Sequence, residues 1–246
     1  MSDGILLIFA HPDDESFSSA GTIRSLVDRG VRVALVCATR GQAGSAGTPP
    51  LATRDELPRR REAELRAACE LLGVHRVEVL DYEDKHLAEA PAAEIRGSLV
   101  RVIRRERPRI VITFDPNGVN GHVDHVAISR FTLDAVTAAA DARFCPEHGP
   151  AHTVGRIVWP SPVMPWDEVR ADVLATMPGV DFLIDVAAWR PAKSAALRAH
   201  RTQHASVEAN WFQRPDPDAV LALETFRFGW GVPPSTRPAA DLFADL

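Results

Sequence analysis

The sequence predicts an α/β protein with a mostly parallel sheet that is covered by helices on both faces. Short apolar runs of strand length alternate along the chain with longer segments of helical spacing. The apolar runs are nearly continuous, which is typical of parallel strands buried on both faces. The 246 residues, 46% of them hydrophobic, suffice for one large core, and no repeat or linker divides the sequence. We therefore expect one domain over residues 1–246.

Each strand is expected at a short apolar run, and each helix where apolar residues recur every three or four positions. The expected strands, in chain order, are residues 5–9, 31–37, 77–80, 110–114, 154–159 and 180–186. The expected helices are residues 16–28, 60–72, 93–105, about 123–142, and 192–200. Gly30 and Gly73 follow the first two helices and are expected to end them, because glycine readily adopts the left-handed conformation found there.

Two segments do not fit the alternation of strands and helices. Residues 39–54 are rich in glycine, alanine, threonine and proline and are expected to form a mobile loop after the second strand. The tail from Arg214 contains scattered prolines and an aromatic patch at residues 226–230. We expect this patch at an edge of the core, although a contact between protomers or part of a pocket also fits it. A homo-oligomer is therefore left open.

Composition limits the partners and the location. The net charge of −5 argues against a general nucleic-acid binder, which usually carries a basic surface. Cys37, Cys69 and Cys145 are widely spaced, and the first two fall in apolar patterns typical of buried thiols. The apolar run at residues 5–9 lacks a basic flank and is too short for a signal peptide or membrane span. We expect a cytoplasmic protein without membrane insertion or a nucleic-acid partner.

Two polar segments are expected to meet at one edge of the sheet. In an open α/β sheet, ligands bind beyond the carboxyl ends of the strands, where the strand order reverses. With the order 3-2-1-4-5, the first and fourth strands are neighbours at that point. The first is followed by residues 11–15, "HPDDE", and the fourth by residues 115–125, "DPNGVNGHVDH". Histidines and carboxylates from two distant segments would therefore face one crevice.

The residue types in this crevice predict a metal centre. Imidazole and carboxylate groups without a thiolate suit zinc, or a related divalent ion such as Fe²⁺. A catalytic zinc site uses three protein ligands and leaves a position for water, and we assign His11, Asp14 and His125 as these ligands. His122 lies three residues before His125, so both can face the crevice from the first turn of one helix.

The neighbouring residues are assigned roles in catalysis. Asp13 takes a proton from the water molecule, His122 faces the developing oxyanion or protonates the leaving group, and Asp124 orients a histidine. Simpler explanations compete with this one. Asp13 or Asp14 could cap the helix that begins at Ser16, and "GHVDH" could be a capped helix start. Both explanations would have to hold together, so the joint metal site is favoured.

The segments "AHPDDE" and "GHVDH" resemble the two signature motifs of the LmbE-like (PIG-L) family of metal-dependent N-acetylglucosaminyl deacetylases. The similarity includes residues 39–41, "TRG", residues 61–65, "REAEL", and residues 199–203, "AHRTQ". It implies a Rossmann-like, doubly wound fold with a catalytic core over about residues 4–205 and a C-terminal tail over residues 206–246. It also implies hydrolysis of the N-acetyl group of a small-molecule amino sugar.

The resemblance implies the same metal ligands, with Asp13 as the general base and His122 as the transition-state stabiliser or acid. It adds Arg61 and Asp84 as residues that bind hydroxyl groups of the substrate sugar. Asn120 stands where the mycothiol-pathway relatives have a tyrosine, so it is a further substrate-binding candidate and leaves the identity of the sugar conjugate less defined.

Three questions stay open in the sequence. His200 and Gln203 belong to a late "HxxQ" element without an assigned role, and a satisfied histidine on a helix surface explains His200 at least as well. The N-acetyl group is the expected target, but an amidase for a larger acyl or cysteinyl group on glucosamine is an alternative. A non-catalytic sugar-binding module is another alternative, although such a module would be expected to lack one of the metal ligands or the general base. Zinc is the expected ion, with Fe²⁺ as an alternative.

Overall fold

A seven-stranded sheet forms the centre of the structure, a computed structural model that describes residues 4–164 and 166–246. The strands are β1 (Gly4–Phe9), β2 (Arg32–Thr39), β3 (Arg76–Tyr82), β4 (Ile110–Ile112), β5 (Arg156–Pro160), β6 (Phe182–Asp185) and β7 (Leu223–Gly231). Their order in the sheet is β3-β2-β1-β4-β5-β7-β6. The first five strands run parallel in the predicted order, whereas β7 lies antiparallel between β5 and β6.

Helices connect the parallel strands and cover the sheet. They are α1 (Asp14–Asp28), α2 (Leu57–Leu72), α3 (Ala92–Glu106), α4 (Gly118–Gly121), α5 (Val123–Ala139), α6 (Ala171–Leu174), α7 (Arg190–Ala199), α8 (His204–Val207) and α9 (Pro217–Ala222). Helix α1 packs with α2 and α7, whereas α3 packs with α5. Because the strand order reverses between β1 and β4 and crossovers are right-handed, these two groups cover opposite faces. The predicted fold class is confirmed.

The observed elements differ from the prediction mainly in the tail. Strand β7 is absent from the expected strands, because its aromatic residues alternate with polar or small ones instead of forming a continuous apolar run. This alternation is typical of an antiparallel strand. Phe226 of β7 is fully buried and lies opposite Pro160 and Phe182, as expected for a core edge. Trp230 is 42% exposed and lies outside that core.

The core is densest around β1, all six residues of which are buried. Cys37 and Cys69 are buried and free, as predicted. Helix α2 ends where Gly73 adopts a φ of 79° and the N–H of Val74 donates to the carbonyl of Cys69 at 2.9 Å. Among residues 4–164 and 166–246, no helix is both long and apolar enough to cross a bilayer.

A buried ion pair joins the tail to two helices. Nζ of Lys193 in α7 lies 3.0 Å from Oε1 of Glu224 in β7, and both side chains are almost fully buried. The same carboxylate accepts the backbone N–H groups of Gly21 and Thr22 in α1, at 2.9 and 2.8 Å. Burial lowers the pKa of the Lys193 ammonium, and the charge of Glu224 opposes this shift. Glu224 therefore compensates a buried charge while it joins α1, α7 and β7.

Replacing Glu224 by leucine should cost about 3–5 kcal/mol of unfolding free energy, because Lys193 would stay buried without its partner. Adding Lys193→Met should recover part of this loss, since the unpaired charge is then removed. Urea denaturation followed by circular dichroism measures both effects. As a control, Arg143→Ala removes an exposed ion pair with Asp141 and should leave the unfolding free energy almost unchanged. Equal losses for the single and double variants would contradict the argument.

Candidate active site

The carboxyl ends of β1 and β4 lie side by side where the strand order reverses, as predicted. Residues 10–13 lead from β1 into α1, and residues 113–117 lead from β4 into α4 and α5. A cavity of about 630 Å³ opens at this edge. Most of the predicted site residues line the cavity: His11, Asp13, Asp14, Arg61, Asp84, Asn120, His122 and His125. Asp124 is fully buried behind it.

The three predicted metal ligands converge. Nδ1 of His11 lies 3.2 Å from Nε2 of His125, and that Nε2 lies 3.4 Å from Oδ1 of Asp14. Nδ1 of His11 is also 3.7 Å from Oδ2 of Asp14. Around a tetrahedral zinc with bonds of about 2.0–2.1 Å, ligand atoms lie roughly 3.4 Å apart. The separation of Nδ1 of His11 from Nε2 of His125 therefore suits two ligands of one ion, and Asp14 lies beside both rings.

The protein fixes the remaining polar atoms of Asp14 and His125. Oδ2 of Asp14 accepts the N–H groups of Ala10 and His11 at 3.1 and 2.8 Å. Nδ1 of His125 lies 3.2 Å from the carbonyl oxygen of Gly118, which leaves Nε2 to face the other ligands. Gly118 has a φ of 70°, and a Cβ there would stand 2.8 Å from Cβ of His125. Only glycine fits this approach without strain.

The second nitrogen of His11 is surrounded by carboxylates. Its Nε2 lies 3.0 Å from Oδ2 of Asp124 and 3.3 Å from Oδ1 of Asp84. Burial lowers the pKa of His11, but three neighbouring carboxylates, those of Asp124, Asp84 and Asp14, outweigh it and raise this pKa to about 10. The surroundings of His11 therefore favour a cation, either a proton or a metal ion.

Distances alone allow an ion on either side of His11. Among the residues that the structure describes, two candidate groups include His11: His11 with His122 and His125, and His11 with Asp84 and Asp124. A third group, Cys145 with Glu147 and His148, does not line the cavity. In the second group, the two oxygens of Asp124 already accept the N–H groups of Lys85 and Leu87, at 2.6 and 3.1 Å. A carboxylate held in this way suits a partner that orients His11 better than it suits a ligand. The Nδ1 side of His11 is therefore the better metal position.

Asp13 has strained backbone geometry beside the ligands. Its φ of 122° is rare for any residue other than glycine. Its Oδ2 accepts a hydrogen bond from Nη2 of Arg61 at 3.1 Å, and its N–H donates to Oε2 of Glu15 at 3.2 Å. Burial raises the pKa of the Asp13 carboxyl to about 6, and the charge of Arg61 opposes this rise. Strain of this kind is concentrated at functional sites.

His122 caps the N-terminus of α5. Its Nδ1 accepts the N–H of Asp124 at 3.2 Å, and Oδ1 of the exposed Asn120 accepts the N–H of His122 at 3.0 Å. The His122 and His11 rings meet edge-on with centroids 4.7 Å apart. Burial lowers the pKa of His122, and the neighbouring His11 and His125 lower it further. A neutral ring that accepts at Nδ1 carries its proton on Nε2, so His122 can donate from that atom.

Arg61 and Asp84 line the cavity and also support other site residues. The buried Arg61 guanidinium donates to two backbone carbonyls, at 2.8 and 2.6 Å, as well as to Asp13. Asp84 contacts His11 and accepts a backbone N–H from the loop after β2 at 3.0 Å. Burial favours a higher pKa for Asp84, but the hydrogen bond with His11 outweighs it and lowers this pKa to about 2. The sequence analysis did not predict these supporting contacts.

A buried hydrogen-bond network lies behind Asp13, and the sequence did not predict it. Oε1 of Glu15 lies 2.8 Å from Nε2 of His200, and the same Glu15 accepts the N–H of Asp13. His200 is therefore a satisfied histidine, as one expectation had it, but at 1% exposure it is buried and does not lie on a helix surface. Gln203 lines the cavity and donates from Nε2 to the carbonyl of Ser45 at 3.0 Å. The "HxxQ" element was the available signal in the sequence, but it does not indicate which residues His200 and Gln203 contact.

Known proteins similar to this chain include amino-sugar deacetylases. A family model described as GlcNAc-PI de-N-acetylase (PIG-L) matches residues 6–136. A 1D-myo-inositol 2-acetamido-2-deoxy-alpha-D-glucopyranoside deacetylase from Streptomyces avermitilis is 34% identical, over 85% of this chain and 85% of the relative. The enzyme of that name from Streptomyces griseus is 32% identical, over 98% of this chain and 88% of the relative.

Solved structures share the fold. The conserved protein TT1542 from Thermus thermophilus matches with a TM-score of 0.70 and 28% identity, over 94% of this chain and 96% of that one. N,N'-diacetylchitobiose deacetylase from Pyrococcus horikoshii matches with a TM-score of 0.71 and 24% identity, over 93% of this chain and 84% of that one. The hydratase GalB from Pseudomonas putida matches with a TM-score of 0.67 and 18% identity, over 95% of this chain and 99% of that one. The last two show the fold alone, and together their names show that it supports different reactions.

Asp124→Asn should lower the affinity of the protein for Zn²⁺ by about 10- to 100-fold, because an amide cannot replace the carboxylate that orients His11. Competition with a chromogenic chelator measures the affinity. Asp134→Asn is the matched control, since Asp134 lies on the same helix but forms an exposed ion pair with Arg96. Unchanged Zn²⁺ affinity in a folded Asp124→Asn variant would rule out this role for Asp124.

Proposed function

The chain belongs to the PIG-L family, and from this premise we propose that it is a metal-dependent amide hydrolase that removes the N-acetyl group of an N-acetylglucosamine-containing small molecule or glycoconjugate. The relatives described above carry the name of an enzyme that deacetylates a 2-acetamido sugar. The observation that carries the proposal is the mutual contact of His11, Asp14 and His125 beside Asp13, whose backbone has a φ of 122°.

We assign the metal to these three ligands, with zinc as the first choice and Fe²⁺ as the alternative. The donor set fits such an ion, because His11, Asp14 and His125 each present one ligand atom while the protein holds their other polar atom. When bound there, the ion supplies Lewis-acid polarisation of the acetyl carbonyl and lowers the pKa of water.

Asp13 is proposed as the general base. The Arg61 guanidinium holds its carboxylate at the wall of the cavity. A carboxylate in this position can take the proton of the attacking water and later pass it to the departing amine. Arg61 and Glu15 keep Asp13 in place, the first through its side chain and the second through its N–H.

His122 is proposed to stabilise the oxygen that gains charge as the amide is attacked, or to protonate the leaving group. Because its Nδ1 is occupied by the N–H of Asp124, the neutral ring presents an N–H donor at Nε2. Asp124 itself is fully buried and is proposed to act through His11. It is therefore a positioning residue.

The proposed substrate is a small amino-sugar conjugate whose hydroxyl groups contact Arg61, Asp84 and Asn120. All three residues line the cavity. The net charge of −5 supports a small-molecule partner over nucleic acid. The buried free thiols of Cys37 and Cys69 support a cytoplasmic location, where cysteines stay reduced.

Asp13→Asn should retain bound metal but lose about 10²- to 10⁴-fold in kcat, because the amide cannot accept the proton. Release of free amine from N-acetylglucosaminides gives the rate, and elemental analysis gives the metal content. Asp134→Asn, far from the cavity wall, is the control and should keep the parental rate. Parental turnover by a metal-loaded Asp13→Asn variant would remove Asp13 as the base.

Removal of metal with a chelator should abolish amine release, and adding back Zn²⁺ or Fe²⁺ should restore it. The comparison of the two reloaded proteins under anaerobic conditions identifies the more active ion, since this ligand set serves both. His125→Ala should lose stoichiometric metal binding because it removes one of the three ligands. Full activity of the chelated protein, with no metal detected, would exclude metal-dependent hydrolysis.

A further inference from the structure

Residues 200–203, "HRTQ", form the "HxxQ" element, to which the proposed function gives no role. They lie between α7 and α8, and the side chains of His200 and Thr202 are buried. His200 follows the last residue of α7, and its N–H donates to the carbonyl of Leu197 at 3.3 Å. Gln203 lines the cavity, whereas His200 does not. His200 can therefore influence a reaction in the cavity only through other residues.

His200 contacts the carboxylate of Glu15 in the first turn of α1. Its Nε2 lies 2.8 Å from Oε1 of Glu15, and both side chains are almost fully buried. Because a carboxylate only accepts, Nε2 of His200 carries the hydrogen and donates it. Burial lowers the pKa of His200, but the charge of Glu15 and the hydrogen bond with it outweigh burial and raise this pKa. The contact is therefore a buried, charge-assisted hydrogen bond.

The other oxygen of the Glu15 carboxylate holds the backbone of Asp13. Oε2 of Glu15 accepts the N–H of Asp13 at 3.2 Å. The φ of Asp13 is 122°, and a conformation of this kind persists only where the surrounding contacts fix it. The imidazole of His200 thus holds one oxygen of the carboxylate, while the other oxygen holds the proposed general base. This chain of two hydrogen bonds joins the end of α7 to the reacting centre.

The segment that carries His200 is also anchored to α2, the helix of Arg61. The backbone N–H and the hydroxyl group of Thr202 donate to the carboxylate of Glu64, at 3.2 and 2.7 Å. Glu64 is buried in α2 three residues after Arg61, whose guanidinium donates to the carboxylate of Asp13 at 3.1 Å. The position of His200 is therefore fixed relative to both helices, α1 and α2, that hold Asp13.

We propose that His200 is a positioning residue that fixes the general base Asp13 through Glu15. The inference rests on the proposed function and deepens it, because it gives a residue outside the cavity a part in the reaction. A buried ion pair is often no more stabilising than apolar side chains of similar size, so stability alone does not explain this pair. A displacement of about 1 Å at a reacting group can cost about 100-fold in rate. Loss of the His200 donor should therefore lower kcat while the metal stays bound.

Two substitutions of His200 separate its hydrogen bond from its volume. Glutamine places an amide N–H donor close to the position of Nε2, whereas leucine removes the donor. With the metal-reconstituted full chain and an N-acetylglucosaminide, His200→Leu should lower kcat by about 10- to 100-fold and leave KM and metal content within about twofold of the parent. His200→Gln should keep kcat within about threefold. Parental kcat in His200→Leu, or equal losses in the two variants, would overturn the proposal.

Further variants test whether the effect passes through Asp13. In Asp13→Asn the base is already lost, so adding His200→Leu should change the residual kcat by less than about twofold. A loss by the same factor in both backgrounds would contradict the proposal. Because His200→Leu leaves Glu15 buried without its partner, Glu15→Met with His200→Leu is the second test: it replaces the pair by apolar side chains, should fold, and should lose at least as much kcat. His204→Leu, at an exposed histidine of α8, is the matched control and should keep the parental kcat.

Hydrogen exchange of the Asp13 amide tests the positioning without any substrate. Its bond to Glu15 protects this N–H, so NMR should show exchange at least about tenfold faster in His200→Leu and nearly unchanged in His200→Gln. If no N-acetylglucosaminide is hydrolysed while exchange responds in this way, the proposed function fails and positioning by His200 stands. If hydrolysis requires Asp13 but neither kcat nor exchange responds to His200→Leu, only the inference fails.

Discussion

The structure depends on burying three carboxylates around one imidazole. Asp14, Asp84 and Asp124 all approach His11, and each is almost completely removed from solvent. Buried charge must be compensated, and here each of the three carboxylates accepts at least one backbone N–H group. These N–H groups come from the turns after β1, β2 and β3, so the carboxyl edge of a parallel sheet supplies them together. The negative charge that these N–H groups do not compensate favours a cation beside His11.

The same edge gives two adjacent aspartates different chemistry. Burial favours a higher pKa for Asp14, but its contacts with His125 and His11 lower this pKa to about 2, whereas burial raises that of Asp13 to about 6. Neighbouring residues differ this much because Asp14 contacts the imidazoles of His125 and His11, whereas the charges around Asp13, that of Arg61 first, offset only part of the effect of its burial. Divergent pKa values of paired carboxyl groups are the usual basis for dividing ligand and proton-transfer roles. Different charged neighbours thus separate the two.

Short patterns in the sequence predict those parts of the protein whose structure depends on residues close together in the chain. Continuous apolar runs predict β1 to β5 and their order, and the "HPDDE" and "GHVDH" segments predict which side chains meet. Contacts that link distant segments are not encoded in any short pattern. The hydrogen bond between Glu15 and His200 joins residues 185 positions apart, and the contact of Arg61 with Asp13 depends on how α2 packs. Trp166 and Met164 lie in a segment without a motif, so their place in the cavity lining becomes visible only in the folded chain.

Two hydrophobic cores border the cavity. The proposed metal ligands and Asp13 lie beside the core of the central sheet, whereas Trp166 and Phe17 pack on the smaller core around Trp211. The two cores are joined by the ion pair of Lys193 and Glu224, with Nζ of Lys193 also 4.4 Å from the centre of the Trp211 ring. Phe17 and Asp14 both belong to α1, so the two cores are also coupled through that helix.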